Sequence, residues 1–373
     1  MDVSSEMIHA LLPVFLVSVL GASVTAVGFL EGTAEAIASI TKVFSGTLSD
    51  RIGKRKRLVV LGYGLAAVTK PLFALAPAVG WIFAARFIDR VGKGIRGAPR
   101  DALIADVTPA AVRGAAFGLR QTLDTAGAFA GPLLAVALMA ATHGAFRTVF
   151  WIAVIPAAVA VALLILFVRE PERTQAARSQ SPPRTAGSLG PAYWWLVLVA
   201  GLFTLARFSE AFLILKVSDA GLATAYVPMV LVVMNVAYAL SAYPAGWLSD
   251  RASRWTVLAA GAALLIGADL VLARSVSIAG ASVGIVLWGL HMGFTQGLFA
   301  ALVADSAPAE RRGSAFGFFN LISGVALLAA SAAAGIVWDR YGAGAMFTTG
   351  AALTAASTIV AAALLATGRL SRR

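Results

Sequence analysis

The sequence predicts an all-α membrane protein, with twelve transmembrane helices in two pseudo-symmetric six-helix bundles. Three observations carry this reading. Of 373 residues, 59% are hydrophobic and only 13% are charged, against about 45–50% and about 25% in soluble globular chains. Apolar runs of membrane-crossing length recur from one end to the other. Two separate segments of the first half return in the second at offsets of 200 and 199 residues.

Spans are expected at 3–21, 24–48, 58–77, 80–104, 114–138, 146–168, 193–215, 223–248, 255–273, 277–303, 313–336 and 344–367. Each is close to the length that crosses a bilayer as a helix, and twelve of them use about 265 residues. What remains is short loops and one linker. The first span is short at its start, because Asp2 and Glu6 come almost at once, and no basic leader precedes it. A cleavable signal peptide is therefore not expected.

The gaps between spans alternate in charge. One set holds Arg51, Lys54, Arg55, Lys56 and Arg57, then Arg113, then Arg169, Arg173, Arg178 and Arg184, then Arg251 and Arg254, then Arg311 and Arg312, and finally Arg369, Arg372 and Arg373. The intervening gaps hold at most one basic residue each, such as Arg147, Lys216, Arg274 or Arg340. By the positive-inside rule the basic set is cytoplasmic. An even number of spans then leaves both termini in the cytoplasm, with the chain in the inner (plasma) membrane. Residues 169–192 are polar and rich in Pro, Ser and Arg, which is linker composition. They divide the chain into 1–168 and 193–373.

The repeat supports that division. Gly46-Thr47-Leu48-Ser49-Asp50-Arg51 returns as Gly246-Trp247-Leu248-Ser249-Asp250-Arg251. The stretch 102–118 returns at 301–317 with 11 of 17 positions identical. Two matches at one period indicate duplicated halves.

Composition also removes several functions. The net charge of +12 is spread through the gaps rather than gathered on one polar domain, so nucleic acid is not an expected partner. There is no cysteine, which removes disulfides and thiolate chemistry. His9, His143 and His291 are scattered, and neither a metal site nor a cofactor is expected. No Gly-Lys-Ser/Thr phosphate loop suggests ATP coupling. No nucleophile–base set suggests an enzyme. A membrane-embedded enzyme or a sensor is the reading from another class, and no residue cluster supports it.

The run Gly46-x-Leu48-Ser49-Asp50-Arg51-x-Gly53-Lys54-Arg55 resembles the loop signature between the second and third helices of the major facilitator superfamily. Arg86 followed by Gly92 is similar to that family's fourth-helix arginine motif. Gly127-x-x-x-Gly131-Pro132 resembles its fifth-helix exporter motif, without the trailing glycines, since Ala135 and Val136 follow. The resemblance covers nearly the whole chain. It implies alternating access between two bundles, a small-molecule substrate, and a monomer in the lipid bilayer. It also implies that Asp50 meets the start of the eleventh helix near Arg312. The repeat adds a mirror pair, Asp250 facing the start of the fifth near Arg113. With Arg51, Asp106, Gly246, Arg251 and Asp305, these residues form two expected cytoplasmic gate clusters. Gly127, Gly131 and Pro132 are expected at a helix-packing face.

Ionisable residues inside spans are costly and usually face a cavity or one another. On the fourth span Arg86, Asp89, Arg90, Lys93, Arg96, Arg100 and Asp101 fall within about 140° of arc at about 100° per residue. Glu31, Glu35 and Lys42 share a face of the second span, Arg120 and Asp124 one of the fifth, and Asp2 and Glu6 one of the first. Arg207 and Glu210 lie on the seventh; Asp269 and His291 are more isolated. The expected pairs are Asp89 with Lys93, Asp124 with Arg120, and Glu31 or Glu35 with basic neighbours. Candidates for substrate or coupling roles are Glu6, Glu31, Glu35, Arg86, Asp89, Arg90, Lys93, Arg120, Asp124, Arg207 and Glu210. The expected function is secondary transport of a small organic solute, coupled to protons and directed outward. Uptake or exchange of an organic anion at Arg86, Arg90 and Lys93 is the alternative. Most intramembrane charges lie in the first half, so binding and coupling are expected there.

Overall fold

A computed structural model describes residues 1–52, 55–107, 113–169, 189–249, 251–306 and 312–370. In chain order the helices are α1 (Asp2–His9), α2 (Leu12–Val14), α3 (Val24–Ile52), α4 (Arg55–Leu75), α5 (Val79–Val107), α6 (Arg113–Ala141), α7 (Phe146–Ile152), α8 (Val154–Phe167), α9 (Pro191–Ala206), α10 (Ala211–Asp219), α11 (Met229–Ser249), α12 (Arg254–Arg274), α13 (Ile278–Ser306) and α14 (Arg312–Ala366). Among the described residues nine segments are long and apolar enough to cross a membrane. The last of them, Ala315–Ala366, is two spans. Gly342, at φ 83° and ψ 168°, turns the chain between them inside α14. α3 and α5 add two further spans, whose charges keep them out of a purely apolar class. All twelve expected spans are thus occupied by helix.

The helix breaks have local causes. α1 stops at His9 because Pro13 offers no N–H to that turn and its ring clashes with the carbonyl four residues back. A π-helical turn, Phe15–Val19, continues the first span. The seventh span, expected as one helix, divides into α9 and α10. Arg207 takes an extended conformation at φ −108° and ψ 97°. The Ser209 N–H, freed by the break, donates to Ser331 Oγ at 3.1 Å, and Ser209 Oγ accepts from the Ala211 N–H at 3.2 Å. Broken helices persist at membrane depth only where such partners satisfy the backbone. The first and seventh spans break at repeat-related places, around residues 10–11 and 207–210.

Two compact units make up the chain. The first comprises Met1–Ala22, Thr33–Pro183 and Thr224–Pro228; the second comprises Ser23–Gly32, Arg184–Ala223 and Met229–Arg373. They depart from the expected halves in two short stretches, at the starts of the second and eighth spans, which are about one repeat apart. Most of the expected linker lies outside the described residues.

Within the first unit α4 and α5 meet backbone to backbone. A Cβ at Gly62 would lie 2.6 Å from the Gly92 carbonyl oxygen, and one at Gly92 would lie 2.7 Å from that of Gly62. Small residues at such crossings let membrane helices gain van der Waals contact that lipid would otherwise supply. Within the second unit the equivalent helices, α12 and α13, repeat the crossing. His291 Nδ1 lies 3.1 Å from the Gly261 carbonyl oxygen, at an offset of 199 residues from Gly92 and Gly62. Ser23–Gly32 packs on α14, where the Asp339 carboxylate accepts the N–H groups of Val24 at 3.1 Å and Thr25 at 2.8 Å. An acid at that position satisfies two orphan donors and complements the helix dipole.

Candidate functional site

The charged wall of α5 exists, and its charges are paired across helices rather than along one. Lys70 on α4 reaches Asp89 Oδ1 at 2.9 Å and the Ser5 hydroxyl at 3.0 Å. Lys70 is 1% exposed and Asp89 4%. The expected Asp89–Lys93 pair is therefore replaced by Asp89–Lys70. The reason is geometric: the Gly62–Gly92 crossing brings α4 so close that its lysine ends at α5. Arg90 Nη1 donates to Glu35 Oε1 at 2.9 Å, and its Nε lies 4.0 Å from Asp89 Oδ2. Arg86 Nη2 lies 2.8 Å from His9 Nδ1, at the end of α1 where the first span breaks.

Further along α5 a second network forms. Arg100 lies 3.3 Å from Asp101 and 3.5 Å from Asp124. Arg120 lies 2.6 Å from Asp101 and 3.2 Å from Asp124. The Arg120–Asp124 pair is the one expected from their spacing. Arg96, over the Tyr63 ring at 4.4 Å, also lies 3.7 Å from Asp2. Each carboxylate here has a cation within reach, which is the arrangement that makes a buried charge tolerable.

Lys93 differs from its neighbours on the wall. Its side chain is exposed, and among the described residues it makes no hydrogen bond or ion pair. The carboxylates whose fields reach it are Glu35 and Glu6. Glu6 sits on the glycine face of α6: a Cβ at Gly131 would lie 2.6 Å from Glu6 Cβ, and one at Gly127 would lie 3.0 Å from Asp2 Cβ. The expected packing face is therefore occupied by α1, which carries the two acids. Pro132 lies inside α6 beside it.

The second unit is built differently. Arg207 and Glu210 flank the break between α9 and α10 and are half-buried. Glu31, 2% exposed, belongs to the α3 stretch in this unit, one turn before Glu35 on the same helix. Asp269 on α12 and His291 on α13 are both fully buried. Neither oxygen of Asp269 has a hydrogen-bond partner among the described residues, and the same holds for His291 Nε2 and Trp288 Nε1. No group of three or more candidate metal ligands occurs among the described residues.

The gate residues are partly visible. Gly46, Asp50, Arg51, Asp106, Arg113 and Arg312 lie in helices, but their side-chain positions, like the whole of Asp250, lie outside the described residues. Asp305 pairs with Arg254 on α12. Arg251 folds back on its own turn, its guanidinium 3.8 Å from the Trp247 ring centre. Among the described residues nothing lies within 4 Å of where a Cβ at Gly246 would sit.

Lys70 was the residue that sequence reasoning missed. Its signal was present: a lone lysine in an otherwise apolar span.

The comparisons agree with this architecture. The Major Facilitator Superfamily model matches residues 1–331. An uncharacterized MFS-type transporter of Methanocaldococcus jannaschii is 32% identical over 347 residues, spanning 90% of this chain and 85% of the relative. A gentisate transporter of Corynebacterium glutamicum is 27% identical over 324 residues, spanning 83% and 72%. Among solved structures, a peptide transporter POT carrying an E310Q mutation superposes with a TM-score of 0.81 at 16% identity, covering 98% of this chain and 91% of its own. With twelve helical spans, a doubled sequence and this match, the chain belongs to the Major Facilitator Superfamily and is a secondary transporter of the membrane.

Proposed function

We propose that the chain exports a small organic anion by alternating access, driven by protons moving the other way. The observation that carries the anion reading is Lys93. Its neighbours Arg90, Arg96 and Arg100 are committed to carboxylates, and Arg86 lies against His9, whereas Lys93 is exposed and makes no hydrogen bond or ion pair among the described residues. A substrate carboxylate would complete there the pairing that every other carboxylate of the wall already has. Arg86, Arg90 and Glu35 hold the lysine's surroundings rigid, and Glu6 sets a like charge that repels a misplaced anion. Arg207 and Glu210, at the broken seventh span, are the second unit's contribution, since discontinuous helices mark substrate sites in carriers.

The outward direction is supported by the Gly127 and Gly131-Pro132 face, occupied here by α1. A second reading, uptake of the anion, is favoured by the relative named a gentisate transporter. In both, the two sequence halves 1–168 and 193–373 are the moving bodies of a monomer, both termini are cytoplasmic, and Asp50 and Asp250 with their arginines close the cytoplasmic side.

The test uses purified protein in liposomes with gentisate as the anionic probe and a cationic dye as the control. Lys93→Gln should raise the half-saturation concentration for gentisate and leave that of the dye unchanged. Equal changes for both, or none for gentisate, contradict the anion reading.

A further inference from the structure

The two units carry the same buried layer with different chemistry. α4 and α12 are each 21 residues long, and α5 and α13 are each 29. They correspond at an offset of 199 residues, as the crossings Gly62–Gly92 and Gly261–His291 do. At that offset Lys70 becomes Asp269 and Asp89 becomes Trp288. The first unit's cation is replaced by an acid, and its acid by an indole. Where the first unit holds an ion pair, the second holds a carboxyl with no ion pair or hydrogen bond among the described residues.

The surroundings of Asp269 do not supply one. A Cβ at Gly350 on α14 would lie 2.8 Å from Asp269 Oδ2 and 3.0 Å from Phe208 Cε1. Phe208 packs 5.1 Å from Trp288 and 5.5 Å from Phe347, measured between ring centres. Trp288 is 6.2 Å from His291. The charged and titratable groups on the elements around Asp269 are few. His291 on α13 commits Nδ1 to Gly261. Arg207 and Glu210 flank Phe208 in the break, and Arg274 is exposed at the end of α12. On α14, Asp339 caps α3 and Arg340 is exposed. None of these hydrogen-bonds Asp269 among the described residues. An ionised carboxylate buried without a partner costs far more than taking up a proton. The aromatic walls offer too few oxygen ligands for a metal cation.

We infer that Asp269, in the buried layer of the second unit that also holds Phe208, Trp288 and His291, is a proton-binding site, occupied by a proton while the layer is buried. The proton adds to a carboxylate oxygen and leaves to water when that layer opens; no electron moves. Trp288 Nε1–H and His291 Nε2 have no hydrogen-bond partner among the described residues, and so are a donor and an acceptor for water that enters the layer. This deepens the proton-coupling reading and rests on it for its role in transport, but the protonation itself does not depend on the substrate. Asp89 and Glu35 of the first unit pair with Lys70 and Arg90, which makes them poor proton carriers. Asp269 has no hydrogen bond or ion pair among the described residues on either oxygen, so no pairing holds it to one protonation state.

The test has two arms on the full chain in liposomes. Infrared difference spectra between about pH 6 and about pH 10 should show the carbonyl stretch of a protonated carboxylic acid. That band should be absent in Asp269→Asn and shifted in Asp269→Glu. A band unchanged in Asp269→Asn, or a response to sodium at fixed pH that Asp269→Asn abolishes, overturns the site. In the second arm gentisate is the probe. Asp269→Asn should lose flux driven by a pH gradient and retain exchange of labelled for unlabelled gentisate. Gradient-driven flux equal to wild type overturns the coupling role. If wild-type protein moves no gentisate, the anion reading fails while the infrared arm still decides the site.

Discussion

The same layer of helix crossing carries Lys70 and Asp89 in one unit and Asp269 and Trp288 in the other. Both solutions keep the buried layer neutral. The first does so with two opposite charges 2.9 Å apart. In our proposal the second does so with a proton, which can leave. A duplicated fold thus places a permanent pair and a titratable acid at equivalent depths. In that proposal the labour divides: the paired unit preserves a charged surface for the solute, and the unpaired acid responds to proton supply.

Breaking the permanent pair should have the largest effect. Lys70→Met leaves Asp89 buried with longer contacts, the Thr69 hydroxyl at 3.5 Å and Arg90 Nε at 4.0 Å, and should cost about 3–5 kcal/mol. Lys70→Met with Asp89→Leu should recover most of that loss, because an apolar pair of similar volume removes the orphan charge. Thermal unfolding of the two variants in detergent checks the ordering; a double variant no more stable than the single one would show that the pair does more than neutralise itself.

Gly131→Ala comes next. Its methyl would lie 2.6 Å from Glu6 Cβ and 2.9 Å from the Val3 carbonyl oxygen, so α1 must shift, at about 1–3 kcal/mol. Gly246→Ala, with open space at its Cβ, is the matched control and should unfold within about 0.5 kcal/mol of wild type. Asp339→Ala removes the cap on Val24 and Thr25 and should cost about 0.5–2 kcal/mol, read as a lower unfolding temperature.

The smallest effect sharpens the comparison most. If Asp269 carries a proton, Asp269→Asn exchanges one neutral group for another of nearly the same shape, and stability at neutral pH should fall by about 1 kcal/mol at most, the amide adding one buried donor. Were Asp269 ionised and unpaired, the same change would stabilise the protein by several kcal/mol, so the sign and size of the shift discriminate.

Much of this was legible in the sequence. Span positions followed from hydropathy, and the doubled architecture from the 199–200-residue offsets. The single charged face of α5 followed from the angular spacing of its residues. Arg120–Asp124 was readable because its partners are one turn apart on one helix. The partner of Asp89 was not, because choosing between Lys93 and Lys70 depends on how closely α4 and α5 cross. The break at 207–210 left a trace in the polar run Arg207-Phe208-Ser209-Glu210, yet mean hydropathy carried the span through it. Asp269 stood out as isolated, but that it occupies the place of Lys70 emerges only when the helices are set in register. The expectation that coupling concentrates in the first half followed from counting charges; the structure directs attention to an acid with no charge beside it.

Flux of gentisate through the reconstituted chain, with an imposed pH gradient and with the gradient collapsed by an ionophore, tests the central claim. The account predicts net movement only while the gradient stands, with protons moving opposite to the anion. Net movement of equal rate after collapse would contradict it.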